Sequence, residues 1–254
     1  MHDYQLITVS RIGRTVRVAI PRPEQLTSLG DPLLDELERL VHWIDDEQPC
    51  EALVFELCRE PVPPAAELPA ADHVRKWEKL MVRIDRLPCI SVAALDGPCV
   101  RFAMQLALAC DHRVATTRAG FQVVELKEGY LPGMNVFRLA KYVGLGVARR
   151  LIFTGEPLDA PAALALGMLD VLCEPGALAG ALDDFLRRLE PIHATPAKLA
   201  RRLLGESFAS EFEQFLGHYL ASQHSCLADK RLRAEPGTGS GEPAAAISVA
   251  ARRP

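Results

Sequence analysis

Glu125 is the residue in this sequence best placed for proton chemistry. It stands in "FQVVELK", with Phe121, Val123, Val124 and Leu126 around it. Apolar neighbours strip water from a carboxylate and raise its pKa, which suits a general acid or base working near neutral pH. It is the one acidic residue between Asp111 and Glu128, and the turn Gly129-Tyr130-Leu131-Pro132-Gly133 that follows would fix its direction. The alternative is a glutamate at the solvated end of a strand. A second stretch, "ALDGPCVRFAMQLALACDHRVAT" (residues 94–116), runs from an apolar strand through a Gly-Pro turn into an apolar helix and then into another strand. Its turn-to-helix junction is built to hold something, because the first N–H groups of a helix have no partner inside the helix and attract negative charge. Yet Arg101 and Phe102 stand where a tight oxyanion-binding loop would want glycine.

The elements that must position these residues alternate between strand and helix. Thr15–Pro21 has the period of a strand. A helix follows, with Asp31 expected as its N-cap and Pro32 in its first turn, and Leu33, Leu37, Leu40, Val41 and Ile44 as its apolar stripe. Cys50–Leu57 is an apolar strand, and Arg59–Pro69 is an irregular loop. Val74–Leu87 is a helix with Trp77, Leu80, Met81 and Ile84 on one face, ended by Pro88. Cys89–Leu95 is a buried strand, Ala103–Cys110 a helix, and His112–Thr116 a strand. Asn135–Val143 is a helix closed by Gly144. Asp159 caps a helix running to Leu166, and Met168–Cys173 is a short strand. Helices then fill Gly176–Leu189, Pro196–Leu204 and Phe208–Leu227. Such alternation implies an α/β fold with mostly parallel strands and right-handed crossovers. The expected organisation is a core domain over residues 1–190, a helical region over 191–235, and a disordered tail over 236–254, where "PGTGSGEPAAA" has no apolar pattern.

Composition narrows the function further. The chain has 254 residues, 49% of them hydrophobic, and a formal net charge of -4. No basic face points to nucleic acid, and no apolar run reaches the ~20 residues that span a bilayer. Residues 1–4 do not open a signal peptide. The seven cysteines form no CxxC pair, which fits free thiols in a reducing cytoplasm. The histidines lack ligand spacing, so no metal site is expected.

Five stretches, in order, resemble the crotonase superfamily, the enoyl-CoA hydratase/isomerase family: "IPRPEQLTSL", "LPCISVAALDGPCV", "QLALACDHRVAT", "AGFQVVELKEGYLPG" and "YVGLGVARRLIFTGEPLDAPAALALGMLDVL". The last carries Thr154-Gly155 and Gly167-Met168-Leu169, where the family has its T-G and G-L-V signatures. The resemblance covers residues 10 to 235 and implies a crotonase-like fold of repeated ββα-type units with a C-terminal helical layer. It also implies an acyl-thioester substrate carrying coenzyme A or a phosphopantetheine arm, with no other cofactor. Two backbone N–H groups would hold the oxygen of an enolate, and carboxylates would move protons or activate water. Homotrimers or hexamers are expected.

Carried over residue by residue, Glu125 matches the glutamate shared by hydratases and isomerases. Gln105 takes the place of the second hydratase carboxylate. It cannot ionise, and either holds a water or substrate carbonyl or caps the first helical turn. Arg101, Phe102 and Ala103 replace the family's glycines, with Phe102 at the N–H donor. Arg101 either reaches a carboxylate or phosphate of the substrate or is a surface arginine. The other donor falls on Ala65 or, shifted by one residue, on Pro64, which has no N–H. Pro132 and Gly133 form the substrate-side turn, followed by Met134-Asn135-Val136 in place of further glycines. Glu128 is expected to be dispensable. The implied activity is hydration, dehydration or isomerisation of an acyl thioester. The alternative is a non-catalytic, auxiliary partner of another biosynthetic enzyme.

Overall fold

The computed structural model describes residues 4–22, 26, 29–47, 50–57 and 68–228. The chain divides into two compact units, residues 1–204 and 205–254. The first unit is built on a six-stranded sheet. Its strands are β1 (Thr8–Ile12), β2 (Thr15–Ala19), β3 (Ala52–Leu57), β4 (Ile90–Leu95), β6 (His112–Thr116) and β9 (Val171–Cys173), side by side in that order. β1 and β2 form an antiparallel hairpin, and every later neighbour is parallel. A second, three-stranded sheet joins β5 (Pro98–Val100), β7 (Gly120–Gln122) and β8 (Leu158–Asp159). The expected α/β fold of mostly parallel strands is therefore present. β1 was not expected, because "TVSRI" is largely exposed and offers little apolar periodicity.

Helices cover the sheet. They are α1 (Asp31–His42), α2 (Ala71–Arg86), α3 (Arg101–Ala109), α4 (Asn135–Thr154), α5 (Ala160–Ala165), α6 (Leu178–Leu189) and α7 (Ala194–Glu206). α2 buries the predicted stripe Trp77, Leu80, Met81 and Ile84. All nine residues of α3 are buried, as an apolar circumference requires of a helix inside a core. Asp159 caps α5 as expected, its side chain accepting the Ala162 N–H at 2.8 Å. Asp31 does not cap α1. That place belongs to Gly30, and the Asp31 carboxylate turns instead to Lys76 at 2.5 Å and His73 at 3.5 Å. α4 passes through Gly144, whose φ of 76° makes a kink where a helix end was expected. The second unit holds α8 (Phe212–Ala228). The loop expected at 59–69 falls mostly, and the tail at 236–254 wholly, outside the described residues.

α3 is fixed at its C-terminal end by Arg113 of β6. The guanidinium donates to the carbonyls of Cys110 (2.8 Å) and Ala107 (3.3 Å), and to that of Met168 (2.5 Å). It also lies over the Tyr142 ring. A cation on the last carbonyls of a helix answers both their missing partners and the helix dipole. α7 is docked by one residue in the same way. Arg201 reaches Asp111 (2.5 Å), the carbonyls of Leu87 (2.6 Å) and Ile84 (3.0 Å), and the Ser91 hydroxyl (3.2 Å). Arg201→Ala removes a mostly buried cation from four acceptors and should cost about 3 kcal/mol. The check is the urea-unfolding midpoint, and an unchanged midpoint would show that α7 does not depend on this clasp.

Candidate active site at the start of helix α3

The chain enters α3 through a left-handed residue. Arg101 has φ 51°, the one positive φ outside glycine among the described residues. That geometry costs an L-residue about 1–2 kcal/mol. Here it is held by an ion pair: Arg101 Nε donates to Glu128 Oε2 at 3.1 Å and Nη2 donates to Oε1. The Arg101 side chain is only 6% exposed. Arg101 is thus not a surface arginine, and its guanidinium is paired with Glu128. Glu128, expected to be dispensable, is the other half of the clasp. The backbone keeps the course that glycine would give it, and the N–H groups of the first turn, Phe102 among them, start the helix without intrahelical acceptors.

The Phe102 ring is buried and packs edge-on against Trp77 of α2, centroids 5.4 Å apart. Trp77 Nε1 donates to Gln105 Oε1 at 3.0 Å. Gln105 is therefore held inside the protein and does not cap the helix, whose N-cap residue is Val100 and which has no side-chain cap. Gly133 lies against this group. A Cβ on Gly133 would collide with both Glu78 Oε1 and Gln105 Oε1, so only glycine fits beside these two side chains. Its φ of 50° also favours glycine. Glu78 Oε1 accepts the Met134 N–H at 3.0 Å, just ahead of α4. Pro132 is buried beside it.

Glu125 is 1% exposed and lies in a turn rather than at a solvated strand end. Its Oε2 accepts the Val124 N–H at 2.9 Å. Burial pushes its pKa up, against the pull of nearby backbone N–H groups, with Glu128 adding to the rise and Arg101 opposing it. The segment is pinned from behind: Gln122 Nε2 donates to the Gly155 carbonyl at 2.7 Å. A Cβ on Gly155 would come within 2.8 Å of the Val123 carbonyl, which explains the Thr-Gly pair read from sequence.

Three residues on the segments around Gly133 and Glu125 have buried polar atoms with no hydrogen-bond partner among the described residues: Glu125 Oε1, Glu78 Oε2 and both amide atoms of Asn135. Asn135 is fully buried. Buried polar groups are seldom left unpaired, and a cluster of them marks a place where water or a ligand supplies the partner. Glu78 and Asn135 were not foreseen as site residues. The available signal for Glu78 was a carboxylate set next to Trp77 on an otherwise amphipathic helix. Ala65 and Pro64, between which the other N–H donor was left open, lie outside the described residues. Among the described residues no group of three His, Cys, Asp or Glu could hold a metal ion, and no helix is long and apolar enough to cross a membrane.

Comparison with known proteins identifies the family and the fold. A sequence model described as enoyl-CoA hydratase/isomerase matches residues 64–230. The chain is 31% identical over 163 residues to an enoyl-CoA hydratase of Amycolatopsis orientalis, covering 64% of this chain and 71% of that one. It is 24% identical over 233 residues to a short-chain enoyl-CoA hydratase of Clostridium acetobutylicum, covering 87% and 89%. An enoyl-CoA hydratase from Bacillus anthracis superposes with a TM-score of 0.81 at 21% identity, over 90% of this chain and 93% of that one. Nothing in these comparisons supports the auxiliary alternative.

The clasp at the helix start is open to a direct test. Glu128→Gln leaves the Arg101 charge buried without its partner and should destabilise the fold by ~3 kcal/mol. Adding Arg101→Gly removes both the charge and the left-handed strain, so the double variant should return to within ~1 kcal/mol of wild type. Calorimetric or denaturant melts of wild type, Glu128→Gln and the double variant decide it. A harmless Glu128→Gln, or a double variant no better than the single, contradicts the clasp.

Proposed function

This chain belongs to the enoyl-CoA hydratase/isomerase family, and we propose that it hydrates, dehydrates or isomerises an acyl thioester presented on coenzyme A or a phosphopantetheine arm. The observation that carries the proposal is Glu125, buried, raised in pKa and holding an unpartnered oxygen. It lies on a segment that the Arg101–Glu128 pair ties to the start of α3. The thioester carbonyl oxygen accepts the Phe102 N–H, and the family resemblance gives Ala65 or Pro64, both outside the described residues, as the place of a second donor. As charge builds on that oxygen in an enolate, these fixed dipoles hold it without reorganising. Glu125 gives a proton to the acyl chain, or takes one from it. Gln105, locked by Trp77, orients water or substrate. Arg101 acts on the backbone rather than on the ligand, and Pro132 and Gly133 shape the far wall. No further cofactor takes part. The free cysteines, four of them buried, fit a reducing compartment.

Copies of the chain are proposed to associate as trimers or hexamers. In the first unit Leu131, Phe137 and Phe153 stand 73%, 52% and 73% exposed, and in the second Phe212 is 70% exposed. Apolar exposure of this kind calls for a partner. A monomer across a concentration series in sedimentation would contradict this.

The decisive variant is Glu125→Gln. Turnover of 2-enoyl-, 3-enoyl- and 3-hydroxyacyl-CoA substrates should fall by about 10²–10⁴, while the affinity for a saturated acyl-CoA changes little. Its stability should also lose a pH dependence. A carboxyl whose folded pKa lies above the unfolded value of about 4.3 stabilises the fold fully below that value, and the stabilisation fades as pH rises through the folded pKa. Relative to wild type, Glu125→Gln should therefore be more stable at pH 8 than at pH 4. Wild-type turnover by the variant would remove Glu125 from the mechanism. A wild-type protein that turns over no thioester, yet accelerates a second enzyme, would replace the proposal with the auxiliary role.

A further inference from the structure

With Gln105 in the place where this family's hydratases carry a second carboxylate, the acid–base count of the site looks one short. The structure offers a replacement from another element. Glu78 lies on α2, next to Trp77, whose indole fixes Gln105. Its Oε1 and Gln105 Oε1 both crowd the position that a Cβ on Gly133 would take, and Oε1 is oriented by the Met134 N–H. Its Oε2 is buried and has no partner among the described residues. An ionisable oxygen in that state has a free position for one hydrogen bond, and the Gln105 amide crowds the same glycine. Burial pushes the Glu78 pKa up, while the Met134 N–H and the Arg138 cation pull it down and Asp85 pushes it up again. Arg138 is itself engaged by Asp85 at 2.8 Å, so its charge is not spent wholly on Glu78. Capping the approach to α4 would need only one carboxylate oxygen and would not require the second to be left unpaired.

We propose that Glu78 is the second general acid–base of this site, acting on a water that Gln105 helps to hold; this rests on the acyl-thioester reading above. In hydration, the water oxygen bonds to the β-carbon of a 2-enoyl thioester and its proton passes to the Glu78 carboxylate. The π pair of the double bond moves toward the α-carbon and the carbonyl, giving the enolate held at α3. Glu125, in its acid form, delivers a proton to the α-carbon, which yields the 3-hydroxyacyl thioester. Exchange with solvent resets the two carboxyls, and dehydration runs the same steps in reverse. A double-bond shift needs one carboxyl to move a proton between the α- and γ-carbons, a task that Glu125 performs without Glu78.

The two reactions separate the roles. Glu78→Gln keeps an acceptor for the Met134 N–H, so its melting temperature should match wild type. Hydration of crotonyl-CoA should fall by 10²–10⁴-fold, while the double-bond shift of 3-hexenoyl-CoA stays within a few-fold. Glu125→Gln should lose both. Hydration by Glu78→Gln within a few-fold of wild type overturns the proposal, as does an equal loss of both reactions, which would make Glu78 a structural anchor. A wild-type protein that shifts the double bond but never hydrates overturns it while leaving the thioester reading intact. Inertness of the wild-type protein toward both substrates removes the thioester reading, and Glu78's role with it.

Discussion

The ion pair between Arg101 and Glu128 is the constraint on which the site depends. It joins the first residue of α3 to the segment that carries Glu125, so one contact sets the helix start and the carboxylate at once. It also resolves the mismatch between residue type and backbone at Arg101. A left-handed L-residue is strained by about 1–2 kcal/mol, and a hydrogen-bonded ion pair of this burial is worth a comparable amount. Glycine would reach the same φ without strain but would contribute no bond to the Glu125 segment. The arginine exchanges conformational ease for a cross-link.

The rest of the first unit presents α3 rigidly to that contact. The helix is buried along its whole length, with Arg113 on its last carbonyls and Trp77 against Phe102 and Gln105 near its first turn. A helix held at both ends points its free N–H groups in one direction, and pre-oriented dipoles of this kind stabilise a developing anion without reorganising. α2 lends the site Trp77 and Glu78 from one turn, and the start of α4 lends Gly133 and Asn135. Buried atoms of Glu78 and Asn135 on these elements have no hydrogen-bond partner among the described residues, and it is there that burial and polar satisfaction conflict.

Much of this was legible in the sequence, and the reasons are local. The strands β3, β4 and β6 are short apolar runs. α2 shows a clean stripe ending at Leu87-Pro88. Glu125 stands out as the one acid in an apolar stretch. Five motifs in order carried the family. What stayed hidden depends on tertiary contact. The positive φ of Arg101 has no sequence signature, because any other arginine beside a Gly-Pro turn looks the same. Its partner Glu128 lies 27 residues away and read as a dispensable neighbour of Glu125. Glu78 sits on the helix beside its core stripe and becomes part of the site only because Gly133, 55 residues on, leaves room for it. Asp31 was a sound cap by type, but a lysine on α2 competed for its carboxylate and won.

The polarising power of the α3 start can be measured without turnover. Infrared spectra of a saturated acyl-CoA carrying ¹³C at the thioester carbonyl would report the field at that oxygen. If N–H groups at the start of α3 receive it, the carbonyl band of the bound ligand moves to lower frequency than in free solution. A bound ligand whose carbonyl band stays at its solution frequency would contradict an oxyanion site at this helix start.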